Sequence, residues 1–104
     1  MRYPDFSNQS TQSGNKIGVE AVLRTLSTAA ETYAQDHNGQ YPQNMQMLTG
    51  TAGYLNEDWC GKNEFEFLFS CSMDEKGYTF TATSMNSEGT YTIKTGGELM
   101  EMIP

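Results

Sequence analysis

The residues that could do chemistry are few. His37 is the one histidine of the chain. It falls at the end of a helical stretch, where the negative end of the helix dipole favours a cation. Acid–base or nucleophilic work by His37 would need a second group poised beside it. Serines and threonines are abundant, but none sits in a nucleophile elbow, and no lysine or second histidine stands beside one as a base. His37 is therefore read as a capping or surface residue. Three carboxylate pairs have the right types for general acid–base catalysis: Glu57/Asp58, Glu64/Glu66 and Asp74/Glu75. The first and last fall in loops or turns, and the second on the outer face of a strand, so all three are read as solvated. Asp36-x-Asn38-Gly39 begins like a calcium loop, but the ligand spacing that ends in glutamate is missing. The glycines do not follow a strand in a phosphate-cradling pattern. No catalytic, cofactor-binding or metal-ligating residue is assigned. No enzyme activity and no cofactor are expected.

Cys60 and Cys71 are the two cysteines. They form neither a C-x-x-C redox pair nor part of a zinc-binding set. Two reduced core thiols would suit a cytosolic protein. A disulfide suits an oxidising compartment and is the expectation here. A loop of that size would add about 3 kcal/mol in the chain-entropy description.

The totals narrow the classes further. A chain of 104 residues fits one domain with a modest core. Thirteen acidic residues against six basic ones leave a net charge of −7. That argues against a nucleic-acid partner, because a phosphate backbone needs a basic patch. Mean hydropathy is −0.61, and no run approaches the ~20 apolar residues of a membrane span.

These side chains need elements to position them. The stretch from Lys16 to Gly39 has apolar residues at helical spacing: Ile17, Val22, Leu26, Ala29, Ala30, Tyr33 and His37. Val19, Leu23 and Ala34 widen the stripe. Glu20, Arg24, Ser27, Thr28, Glu31 and Gln35 fill the polar side, with Glu20 and Arg24 spaced to pair. Asn38-Gly39 is the stop signal. Residues 1–14 are rich in Ser, Asn, Gln and Gly and are expected to be a flexible segment ahead of a helix over residues 15–38. Pro42 turns the chain into a loop over residues 39–63. The period then changes to two. Phe65, Phe67 and Phe69 alternate with polar residues, as do Tyr78, Phe80 and Ala82, and then Tyr91 and Ile93. Turns fall at residues 74–77 and 86–89, and Gly96-Gly97 ends the last strand. The fold class is α+β: a long N-terminal helix on a three- to four-stranded antiparallel sheet over residues 64–97. The expected helix–sheet core is Val22, Leu26, Ala30, Tyr33, Phe65, Phe67, Phe69, Tyr78, Phe80, Tyr91 and Ile93. Leu99 to Ile103 form a tail with no assigned place.

Several blocks together resemble one family. They are Pro4-x-Phe6, Glu20-Ala21 with Leu23 and Leu26, Thr28-Ala29-Ala30-Glu31-x-Tyr33, and Asn38-Gly39-Gln40-Tyr41-Pro42. They resemble the region just past the membrane part of type IV pilins and type II secretion pseudopilins. The stretch Tyr91-Thr92-Ile93-Lys94-Thr95-Gly96-Gly97-Glu98-Leu99 is similar to their closing strand. The helix-end turn Asn38, Gly39, Tyr41 and Pro42 is the most specific part.

The resemblance implies a helical spine on a small antiparallel sheet. It also implies a building block of a filament at the bacterial surface, assembled from the inner membrane through the periplasm. Its partners would be copies of itself or other pilins, with the full-length form anchored in the membrane before assembly. The family's basic leader, cleavage site and apolar half-helix have no counterpart here, so the chain is expected to be the soluble part of a longer subunit, monomeric when excised. The competing reading is a secreted, stand-alone binding or adhesion module that uses the loop at residues 43–63.

Overall fold

The structure, a computed structural model, describes residues 11–85 and 89–102, and for residues 11–15 the backbone alone. The flexible segment expected at residues 1–14 lies outside the described residues up to residue 10; from Thr11 onward the chain is helical. The expected turn at residues 86–88 also lies outside them.

Helix α1 spans Thr11–Asp36. Its buried stripe runs Val19, Leu23, Leu26, Ala30 and Tyr33, at steps of four, three, four and three. That stripe is rotated from the expected one. Ile17 is 50% exposed and Val22 only half-buried, because the sheet meets the side the sequence marked as a widening. The helix stops where Asn38 and Gly39 take positive φ, 60° and 90°. The Gly39 amide then donates to the Ala34 carbonyl at 2.8 Å, satisfying one of the last-turn acceptors.

The connection from α1 to the sheet is pinned at four buried side chains, Pro42, Met45, Leu48 and Leu55. A 3-10 turn at Met45–Met47 is capped by Asn44, whose Oδ1 accepts from the Met47 amide at 3.1 Å. The amides of Tyr54 and Leu55 both donate to the Leu48 carbonyl. These bonds fold a long connection onto the core without a strand of its own.

Five antiparallel strands follow in simple order: β1 Asn63–Glu64, β2 Phe67–Asp74, β3 Gly77–Ser84, β4 Thr90–Lys94 and β5 Glu98–Met102. The inner face carries Phe67, Phe69, Tyr78, Phe80, Ala82, Tyr91 and Ile93, all buried. Helix α1 lies against β3 and β4. The outer face is hydroxyl-rich, with Ser70, Thr81 and Thr92 forming one cross-strand row.

The expectation of a long helix on a three- to four-stranded sheet is overturned. The described residues form a sheet-dominated small domain with one α-helix and five strands. Two features account for the difference. Residues 98–102, read from the sequence as a tail, form β5, because Gly96 and Gly97 at φ 92° and 82° reverse the chain tightly onto β4. Their pattern, Glu-Leu-Met-Glu-Met, does not alternate, so nothing marked them as a strand. The second feature is Phe65. It does not continue the inward ladder of β2. Phe65 and Glu66 form a two-residue turn between β1 and β2, at φ 57° and 66°. Such hairpin turns ordinarily carry Asn-Gly, so the alternating Phe pattern hid this one. Phe65 is 37% exposed and is not a core residue.

Candidate functional site

Glu31 lies on α1 one turn beyond Ser27, beside the buried stripe. Its carboxylate accepts three hydrogen bonds: from the Tyr41 hydroxyl at 2.9 Å, the Tyr78 hydroxyl at 2.7 Å and the Gly96 amide at 2.7 Å. Tyr78 is a shared centre, since its hydroxyl also meets Ser27 Oγ at 2.7 Å and accepts from the Gly97 amide at 3.1 Å. One knot therefore ties the helix to the post-helix turn, to β3 and to the β4–β5 turn. Burial pushes the Glu31 carboxyl upward, but the bonds from Tyr78, Gly96 and Tyr41 outweigh it and hold the pKa below its ordinary 4.5. Burial first, and then the Glu31 carboxylate, push the Tyr78 hydroxyl up to about 12. The hydroxyls of Ser27, Tyr41 and Tyr78 and both oxygens of the Glu31 carboxylate are engaged within the knot, which holds these elements together.

Tyr41 and Pro42 join this arrangement. The Tyr41 ring meets Tyr78 edge-on at 5.6 Å, and the Tyr41 amide donates to the Glu75 carbonyl at 3.0 Å. His37 stacks on Tyr33 with centroids 3.8 Å apart, and its Nδ1 lies 2.7 Å from the Tyr33 carbonyl. That places it at the helix end.

The carboxylate pairs stay apart from one another. Glu57 pairs with Lys62, Asp58 caps the Cys60 amide, and Asp74 accepts from the amides of Lys76 and Gly77. Among the described residues no group of three or more His, Cys, Asp or Glu side chains is placed to hold a metal ion. Cys60 and Cys71 are joined in a disulfide, which ties the end of the long connection to β2 beside Trp59 and Phe69.

A different feature stands at the far end of the sheet. Six large apolar side chains are exposed among the described residues: Ile17, Phe65, Leu68, Met85, Met100 and Met102. The pairing pattern puts Phe65, Leu68, Met85 and Met102 at one end of the sheet, while Met100 pairs with Thr92 in its middle row; Leu68, Met100 and Met102 lie on the outer face. The Met85 amide donates to the Glu66 carbonyl in the hairpin turn. Leu68 faces Thr83, Thr83 faces Thr90, and Thr90 faces Met102. The Phe65 ring lies over Gly18, where an added Cβ would come within 2.7 Å of it. Ile17 is next to that contact, where α1 leaves the sheet. The Glu31 knot and the polar turns at 74–77 and 95–97 occupy the other end.

No protein family, curated protein or solved structure matches this chain. The functional argument therefore stands on the site itself.

Sequence reasoning identified most of the residues that face the sheet, but not the Glu31 knot or the apolar end. Ser27 and Glu31, spaced one turn apart beside the apolar stripe, were the available signal for the knot. The apolar end is built from residues of α1, β2, β3 and β5 and the first hairpin, so it exists only once the strands pair.

Proposed function

We propose that this chain is a non-catalytic structural subunit of a type IV pilus or related pseudopilus filament, joined to neighbouring subunits through the N-terminal part of α1. The observation that carries this reading is the one-sided distribution of exposed apolar residues. Met85 is 61% exposed and Ile17 50%, both beside the Phe65 turn that covers Gly18, and Met102 is 69% exposed at the same end of the sheet on its outer face. Isolated exposed apolar residues are ordinary, but a collection at one end marks an interaction surface. A building block needs such an end toward its neighbours.

The resemblance of residues 4–42 to pilins and pseudopilins supports the same reading. So does the disulfide, which persists in oxidising compartments such as the periplasm and the cell surface. The knot stiffens the domain as a filament subunit requires, because it links segments distant in sequence.

Site-specific crosslinking in cells expressing the native gene tests this proposal. A photoreactive residue at Ile17 or Met85 is expected to yield adducts of this chain with itself or with related subunits. The same residue at Asn56, exposed in the long connection, is expected to give a different and sparser set. Crosslinking to soluble proteins alone, equally from all three positions, would refute the reading.

A further inference from the structure

Arg24 stands on the side of α1 that the sheet leaves uncovered. Ala21, Arg24, Thr25, Thr28 and Thr32 are exposed there, on successive turns. An open groove flanks this ridge on either side. One, of about 450 Å³, lies between the helix and Gly53–Tyr54; the other, of about 400 Å³, lies between the helix and Ile93 and Gly97. Arg24, Thr28 and Thr32 wall both of them. The neighbouring side chains are short, so another surface can approach the guanidinium closely.

Among the described residues nothing uses that guanidinium. Lys16 pairs with Glu101 and Lys62 with Glu57, but Arg24 has no ion pair or hydrogen bond among the described residues. The expected pairing with Glu20 does not form. Glu31, the one carboxylate lining a groove with Arg24, is engaged by Tyr41, Tyr78 and Gly96. Arg24 thus presents its fork of N–H donors outward, suited to a carboxylate.

The chain itself is rich in the complementary group, with 13 acidic residues against 6 basic ones. Glu75 and Glu98 are exposed at the polar end, and their carboxylates have no partner among the described residues. Two copies carrying −7 each repel at long range unless a contact brings cation and carboxylate together.

We propose that the Arg24 face of α1 seats the polar end of a second copy of this chain, with Arg24 gripping the carboxylates near Glu75 and Glu98. This names one contact within the subunit reading and rests on it. The two surfaces differ, so the contact is head-to-tail and can propagate along a filament.

Nuclear magnetic resonance of the labelled chain, from micromolar to millimolar concentration, tests the contact. Signals of Arg24, Thr28 and Thr32 are expected to shift in step with those of Glu75 and Glu98. Arg24→Glu should weaken association about tenfold or more without lowering the melting temperature. Mixing that variant with a Glu75→Arg/Glu98→Arg variant should restore pairing between the unlike chains. Concentration-independent spectra, or an Arg24→Glu chain that associates like the parent, would overturn the proposal. Filaments built normally from Arg24→Glu subunits would also overturn this contact while leaving the subunit reading intact. Absence of the parent chain from any filament would instead remove the subunit reading.

Discussion

The Tyr78 hydroxyl donates to the Glu31 carboxylate across 2.7 Å, joining residues 47 apart in the chain. That bond couples β3 to α1. Tyr78→Phe removes the hydroxyl and with it the bonds to Glu31 and Ser27, while the Gly97 amide keeps the Lys94 carbonyl. A loss of about 1–3 kcal/mol is expected, read from chemical denaturation at constant slope. Glu31→Ala removes the acceptor for three donors and should cost at least as much.

The same knot sets the response to pH. The folded pKa of Glu31 lies below its ordinary 4.5, so its contribution is fully present above that value and is lost as pH falls through the folded one. Tyr78 behaves in the opposite sense. Its folded pKa is raised from 10.0 to about 12, so its contribution is intact below pH 10 and fades as pH rises toward 12. Melting temperatures measured across both limbs should fall at each extreme. Glu31→Gln should flatten the acid limb, and Tyr78→Phe the alkaline one.

The Cys60–Cys71 bridge closes a short loop, with a separation of 11 residues. Replacing both cysteines with alanine should cost about 3 kcal/mol and lower the melting temperature by roughly 10–20 °C in a domain of this size. Calorimetry of the double variant, compared with the parent in the presence of reductant, measures it.

Gly18 and Phe65 form a coupled pair. Alanine at position 18 gains about 1 kcal/mol of helix propensity, but its Cβ would meet the Phe65 ring at 2.7 Å. Gly18→Ala is therefore expected to help little in the parent and to stabilise by about 1 kcal/mol once Phe65→Ala has removed the ring. A double-mutant cycle with no coupling between the two positions would refute the contact.

Local signals made the helix, its stop and three of the strands legible. The run from Lys16 to Gly39 carries the helical period, and Asn38-Gly39 ends it by conformational preference. Phe67 to Ser72, Tyr78 to Thr83 and Thr90 to Lys94 carry the alternation of half-buried strands. The rest depended on tertiary pairing. Phe65 shares the alternation of β2 but sits in a turn of positive φ, which no local rule assigns to Phe-Glu. Residues 98–102 have no alternation because they form an edge strand, with only Leu99 half-buried against the core. Glu31 looked like one more solvent-facing carboxylate, since its donors come from Tyr41, Tyr78 and Gly96. The rotation of the buried stripe toward Val19 and Leu23 likewise follows from where the sheet meets the helix.

Whether this chain is built into filaments is the question on which the account turns. Immunogold electron microscopy of sheared surface material, labelled with antibody raised against this chain, addresses it directly. The account predicts gold along the length of thin filaments, lost when Ile17 and Met85 are both changed to aspartate. Label confined to soluble material, with any filaments unlabelled, would contradict it.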